Sequence, residues 1–253
     1  MKIFAVSGSP RREKGITERI FRPFIEGAQE AGAEVDVVYL QGKKIKPCLG
    51  CFHCWWKTPG QCVQKDDQAG LLKLFSECDV AVFATPLYVC GMSAQLKAFF
   101  DRFIPLTEPF LELREGHCTH PARGKYMKGM VVVSSCGFHE LDNFDAMLAQ
   151  FQAICRLGGV KFLGALLRPH GEFLTLAEQI MKQKTEEVYA AAREAGRRMV
   201  KDGGIPAELL DAVSRELIPL DAYIAGANQF FHKQIGRYDR KKSRAGQSEA
   251  PAS

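Results

Sequence analysis

The stretch that decides the fold is KIFAVSGSPRREKGIT, residues 2–17, which passes from a short apolar run through a glycine turn into a polar loop. The next residues, 16–33, place apolar side chains at a spacing typical of a helix, namely Ile20, Phe24, Ala28 and Ala31. Strand, glycine turn and helix in this order form the start of a βα unit. The helix amino terminus of such a unit presents backbone N–H groups that can bind a phosphate.

The polar loop itself has the residues that a phosphate site needs. Ser7, Ser9 and Thr17 can donate hydroxyl hydrogen bonds, Gly8 allows a close backbone turn, and Arg11 adds positive charge. The loop matches neither GxGxxG nor GxxxxGK[ST], which counts against a dinucleotide site and against a nucleotide triphosphatase. A terminal phosphate monoester is the predicted ligand, and a solvent-exposed turn of small residues is the alternative.

Four further apolar runs alternate with helical patterns along the chain: EVDVVYL (34–40), DVAVFAT (79–85), GMVVVSS (129–135) and VKFLGALL (160–167). Five βα units in alternation predict an α/β fold, with a parallel sheet covered by helices on both faces. Residues 104–126 contain three prolines and no clear period, and are predicted to form an irregular excursion.

The carboxyl-terminal part predicts additional helices. The expected organisation is one domain over 1–204, a helical extension over 205–236 and a disordered basic tail over 237–253. In the extension, one helix face is apolar and is expected to pack on the domain core or on a second subunit.

Charge and hydropathy restrict the class of protein. The net charge is +5, and residues 233–244 alone contribute six basic side chains against one acidic side chain, so the remainder is neutral. Nucleic acid is therefore not an expected partner, and neither is a membrane, since no apolar run approaches the ~20 residues that span a bilayer. Nine cysteines without a recognisable signal peptide favour a reducing, cytoplasmic location.

Four motifs occur in a characteristic order. They are GSPR (8–11) with Thr17, PCLGCFHC (47–54) with GQCVQKDD (60–67), ATPLYVCGMSAQLKAFFDR (84–102), and SSCGF (134–138). Over about residues 1–200 the sequence resembles the NAD(P)H-dependent FMN reductase family, including its iron–sulfur flavoprotein branch. The resemblance implies a flavodoxin-like, doubly wound five-stranded parallel sheet of strand order 2-1-3-4-5.

The resemblance also implies a flavin site at the carboxyl ends of the strands. Besides the phosphate loop (Ser7, Ser9, Arg11, Thr17), two loops would contact the isoalloxazine ring: Pro86, Leu87, Tyr88, Cys90, Gly91 and Met92 after the third strand, and Ser135, Cys136, Gly137 and Phe138 after the fourth. No catalytic side chain is predicted, because the flavin N5 carries the hydride.

The segment after the second strand contains Cys48, Cys51, Cys54 and Cys62 at short spacings. Such a run is close to those that bind a [4Fe–4S] cluster. Zinc can also accept four thiolates, and free thiols or packing, with Trp55 and Trp56 forming an aromatic lid or dimer arm, form a third interpretation.

The predicted function is that of an FMN-dependent oxidoreductase. It would take electrons from NAD(P)H and pass them to a small acceptor such as a quinone, a flavin or a nitroaromatic, and the resemblance implies a homodimer. One alternative is an iron–sulfur flavoprotein electron carrier that receives electrons from ferredoxin. The other is a binding module without flavin, since a fold does not define a function.

Overall fold

A central parallel sheet organises the protein, whose computed structural model describes residues 1–124 and 127–248. The strands are β1 (Lys2–Ser7), β2 (Glu34–Tyr39), β3 (Val80–Pro86), β4 (Glu112–Arg114), β5 (His117–Thr119), β6 (Gly129–Ser135) and β7 (Lys161–Arg168). Five of them form the sheet in the order β2-β1-β3-β6-β7, and every pairing is parallel. The predicted order 2-1-3-4-5 is confirmed, because β4 and β5 pair separately as an antiparallel hairpin within the irregular excursion.

Helices cover both faces of this sheet. They are α1 (Glu18–Glu30), α2 (His53–Trp56), α3 (Gln68–Glu77), α4 (Ala94–Phe100), α5 (Asp145–Gly158), α6 (Leu174–Ile180), α7 (Lys182–Asp202), α8 (Ala207–Ser214) and α9 (Leu220–Ser248). On one face, α3, α4 and α5 enclose an aromatic core with Phe83 from β3 at its centre, 4.6 Å from the ring of Phe100. The central strands β1, β3 and β6 are buried almost throughout, as expected for strands between two helix layers.

The chain divides into two compact units, 1–215 and 216–253. The first unit extends beyond the boundary expected at 204, because α8 packs against α7 and β7. In the second unit α9 continues to Ser248, so residues 237–248 are helical where the sequence indicated a disordered tail, and 249–253 lie outside the described residues. None of the described helices is both long and apolar enough to cross a bilayer.

Candidate functional site

Three loops meet at the carboxyl edge of the sheet, where they follow β1, β3 and β6. The backbone N–H of Leu87 donates to the carbonyl of Ser135 at 2.9 Å, and that of Gly8 donates to the carbonyl of Ala84 at 2.8 Å. The hydroxyl groups of Thr17 and Ser135 are 2.7 Å apart in a buried hydrogen bond. Backbone and side-chain bonds thus hold the three loops together.

Between these loops lies an open cleft of about 110 Å³, which we call the rim cleft. Its lining consists of Ser9, Arg11, Gly15, Ile16, Thr17, Pro86, Leu87, Tyr88, Ser135, Cys136, Gly137 and Glu172. Residues from all three predicted loops therefore share one cavity. Gly15, Ile16 and Glu172 were not expected from the sequence.

The β1 end of the rim cleft has free hydrogen-bond donors. Across the described residues, the backbone N–H groups of Ile16 and Thr17 donate to no protein acceptor, and they directly precede the amino terminus of α1. The Arg11 guanidinium is 60% exposed and makes a 3.2 Å ion pair with Glu172, which is equally exposed. An exposed pair of this kind is weak, so Arg11 is available to an anion at this end.

Five predicted site residues do not line the rim cleft: Ser7, Cys90, Gly91, Met92 and Phe138. Ser7 is buried beneath the loop, where its hydroxyl accepts a bond from the Ser9 N–H, and Met92 belongs to the core. Phe138 is 68% exposed beside the cleft.

Cys90 and Gly91 lie in a tight turn at the mouth of the cleft. The backbones of Tyr88 and Gly91 exchange hydrogen bonds of 2.9 and 3.0 Å across it. Val89 and Cys90 between them have φ angles of +47° and +61°, in the left-handed region that L residues rarely adopt. Val89 is also fully exposed, so a strained apolar turn borders the cleft.

Beneath the β6 loop lies a buried cation that the sequence did not indicate. Arg168 is fully buried and donates to the carbonyls of Pro169, Val213 and Arg215, and burial lowers the pKa of its guanidinium to about 10. The Nε2 of His170 accepts a 2.9 Å bond from the Arg168 guanidinium, and burial together with that charge lowers the pKa of His170 to about 3. His170 is therefore neutral near pH 7.

Cys136 joins this group to the rim cleft. Its N–H donates to the Arg168 carbonyl at 3.1 Å, and its thiol donates to the carbonyl of Phe138 at 3.3 Å. Burial raises the pKa of this thiol, which disfavours the thiolate. Cys136 is thus a small buried residue of the cleft wall and not an activated nucleophile.

The segment 45–67, the cysteine loop, forms a second candidate site. Cys48, Cys51, Cys54 and Cys62 line one pocket together with the buried side chain of Arg102. Burial raises the pKa of the Cys54 thiol, and the neighbouring Cys62 raises it further. The structure thus brings the four predicted cysteines together, although three of them are partly or fully exposed to solvent.

Trp55 anchors the cysteine loop to the excursion after α4. Its indole N–H donates to the Ile104 carbonyl at 3.1 Å, and its ring lies 4.6 Å from that of His120. Trp56 is 66% exposed. Within 1–124 and 127–248, no three His, Cys, Asp or Glu side chains are arranged to hold a single metal ion.

Comparison with known proteins connects this architecture to a family. Residues 1–158 match the model of a family described as NADPH-dependent FMN reductase. An iron–sulfur flavoprotein of Archaeoglobus fulgidus is 34% identical over 54% of this chain and 56% of its own length. Another, from Methanocaldococcus jannaschii, is 40% identical over 42% of this chain and 53% of its own length. The chain thus spans about half the length of these relatives.

A relative matched over more of its length is a putative NAD(P)H-dependent FMN-containing oxidoreductase of Bacillus subtilis, 26% identical over 66% of this chain and 84% of its own. Among solved structures, a NAD(P)H:quinone oxidoreductase from Methanothermobacter marburgensis aligns with a TM-score of 0.58 and 19% identity, covering 79% of this chain and 96% of the other. An FMN-dependent NADH-azoreductase from Bacillus anthracis aligns with a TM-score of 0.58 and 15% identity, covering 79% of this chain and 100% of the other. These two likenesses support the fold.

Proposed function

Because the chain belongs to the NADPH-dependent FMN reductase family, we propose that it binds FMN in the rim cleft and transfers electrons from NAD(P)H to a small acceptor such as a quinone, a flavin or a nitroaromatic. The observation that carries this proposal is the convergence of three strand-end loops on one cleft with free N–H donors at its β1 end. Flat heterocycles bind at this edge of doubly wound sheets.

The phosphate would lie at the β1 end of the cleft. There the N–H groups of Ile16 and Thr17 can donate to it, the hydroxyls of Ser9 and Thr17 can add bonds, and Arg11 contributes charge. Ser7 would support the loop from below. A monoester fits this arrangement because its charge also complements the amino terminus of α1.

The ring would lie between the other two loops. Pro86, Leu87 and Tyr88 would contact it along one edge, and Ser135, Cys136 and Gly137 would border its pyrimidine side. Ring contacts of Cys90, Gly91 and Phe138 stay predictions, and Met92 would act by packing beneath the turn. The bound flavin supplies hydride acceptance at N5, so the protein has to orient the ring and exclude water.

The open side of the rim cleft supports a homodimer. Tyr88 is 49% exposed, and the apolar Val89 and Phe138 are more exposed still. A second copy over this side would bury these side chains and shield the ring from water. Sedimentation of the FMN-loaded protein at micromolar concentration tests this, and a single monomeric species would contradict it.

Binding and turnover together test the proposed function. Titrating the protein into FMN should quench flavin fluorescence at a stoichiometry of one per chain, and the complex should oxidise NADPH or NADH in the presence of a quinone. Thr17→Ala should weaken binding, whereas Thr58→Ala, which alters a hydroxyl in the cysteine loop, should not. Failure to bind FMN would refute the proposal and leave the flavin-free binding module.

The cysteine loop favours a second candidate function, that of an iron–sulfur flavoprotein that also carries electrons through a [4Fe–4S] cluster. Four thiols on one pocket are the donor set that such a cluster requires. The Nε of Arg102, which lies at the same pocket, is buried without a hydrogen-bond partner in the described part of the chain. Both features fit an anionic group held by Cys48, Cys51, Cys54 and Cys62.

Anaerobic purification followed by iron and acid-labile sulfide assays tests this second function. Four iron and four sulfide per chain would support it, and Cys51→Ser should reduce both. Reduction of this protein by ferredoxin in the absence of NAD(P)H would further separate the carrier from the reductase. Metal-free protein with normal NAD(P)H turnover would eliminate the carrier and retain the reductase.

A further inference from the structure

Among the described residues, Arg102 is the one arginine that lines the pocket of the four cysteines, and it is one of the most deeply buried charged residues, with 1% of its side chain exposed. It lies just beyond the end of α4, after Asp101, so the helix that follows the β3 loop also positions this guanidinium at the cysteine loop. Burying a cation is costly unless opposite charges and hydrogen bonds compensate it, so the groups around Arg102 decide its energetic effect.

One side of the guanidinium is fully engaged. Its Nη1 donates to the Asp66 carboxylate at 2.5 Å and to the Lys46 carbonyl at 3.3 Å. Asp66 also accepts bonds from the backbone N–H groups of Lys46 and Gln68. The carboxylate is therefore held by three donors, and these bonds keep its pKa low despite burial.

Arg102 also lines the thiol pocket, and its Nη2 donates to the Gln64 carbonyl at 3.5 Å. Nε is buried and lacks an acceptor within the described residues. Burial disfavours the charge of Arg102, but the hydrogen bond to the Asp66 carboxylate and the neighbouring Cys62 more than offset this and raise the pKa of the guanidinium. The cation thus lies between one carboxylate and the thiol pocket.

We propose that Arg102 and Asp66 act as an opposed charge pair that sets the reduction potential of a cluster bound by the four thiolates, Arg102 raising it and Asp66 lowering it. This inference rests on the second function proposed above. Reduction adds one electron, and hence one negative charge, to a group that four thiolates already make anionic. A buried cation beside the sulfurs stabilises the reduced form more than the oxidised form, and a buried anion does the opposite.

The test is a redox titration of the anaerobically purified full chain, with dithionite as the electron donor and the spectrum of the reduced cluster as the readout. Arg102→Gln should lower the midpoint potential and Asp66→Asn should raise it. Each change should alter the equilibrium constant for one-electron reduction at least tenfold, which corresponds to about 59 mV. Arg102→Lys keeps the charge and should stay closer to the wild type than Arg102→Gln.

Lys97→Gln is the matched control, because it removes an exposed cation from α4, the helix that precedes Arg102, and should leave the potential unchanged. If Arg102→Gln loses its iron, Asp66→Asn and Arg102→Lys carry the test. Potentials that move in the same direction for the Arg102 and Asp66 variants, or that do not move, would overturn the charge-pair assignment while leaving the cluster in place. A wild-type chain without iron and sulfide would overturn the cluster proposal itself and this inference with it.

Discussion

The rim cleft and the cysteine loop are two candidate redox sites built on different principles. Loops of the rim cleft start at strand ends, and main-chain bonds such as those from Gly8 and Leu87 join them. The cysteine loop contains no strand, has left-handed backbone at Phe52, and is held by the side chains of Arg102 and Trp55. The geometry of the first site follows from the sheet, whereas that of the second depends on a few buried side chains.

The largest effect should come from protonating His170, which is buried beneath the β6 loop of the rim cleft. The ordinary pKa of histidine is 6.5, and burial with the nearby Arg168 charge lowers that of His170 to about 3. Neutral His170 therefore contributes stability that is present above pH 6.5 and is lost as the pH falls towards 3. The gap corresponds to a loss on the order of 5 kcal/mol in the free energy of unfolding.

Urea unfolding of the protein at several pH values between 7 and 4 measures this loss. His170→Gln keeps an acceptor for Arg168 but does not titrate, so its stability should fall less over that range. His117→Gln, in the exposed hairpin, serves as the control and should behave as the wild type does. If the free energy of unfolding changed with pH in the same way for all three proteins, stability would not depend on a neutral His170.

The next largest effect should come from removing the buried cation of the cysteine loop, and it should distinguish this loop from the rim cleft. Arg102→Ala leaves the buried Asp66 carboxylate without its cation, and breaking such a pair costs about 3 kcal/mol or more. Because the rim cleft is held by main-chain bonds, we expect proteolysis to increase within 45–67 while FMN affinity changes little. Lys97→Ala, which breaks the exposed pair with Asp101 near the end of α4, should cost less than about 1 kcal/mol. Equal loss of FMN binding would mean that the two regions are one cooperative unit.

The same contrast explains what the sequence could predict. Apolar runs and helical periods are local signals, and parallel strands bring their carboxyl ends to one edge, so residues such as Ser9, Pro86 and Ser135 were expected together. Glu172 was missed because a turn after β7 brings it into the cleft. The bond between Arg102 and Asp66 joins residues 36 positions apart, and Asp66 alone is typical of a helix cap.

A smaller effect should follow from crowding the phosphate loop. A methyl group at Gly8 would lie 2.7 Å from the hydroxyl oxygen of Ser93 and 2.8 Å from the Cβ of Leu96. Gly8→Ala should therefore cost about 2 kcal/mol and weaken FMN binding, because the loop must move away from α4. Gly70→Ala has open space around it and should be neutral or slightly stabilising in thermal unfolding. Normal stability and FMN affinity in Gly8→Ala would show that this loop is not held by close packing.

The smallest effect tests one hydroxyl that serves the rim cleft twice. Thr17 bonds Ser135 through its side chain, and its hydroxyl lies where a phosphate would accept a bond. Thr17→Val keeps the shape but leaves the buried Ser135 hydroxyl without this partner, at a cost of about 1 kcal/mol in stability. FMN affinity should fall roughly tenfold, since a bond to a charged group is worth about 1.4 kcal/mol or more.

Thr17→Ser is the control, because it retains the hydroxyl and should bind FMN as the wild type does. The iron content of all three proteins should be equal, because the cysteine loop is held independently of Thr17. If Thr17→Val lost stability but bound FMN normally, the Thr17 hydroxyl would serve only to join the loops, and the phosphate would be bound without it.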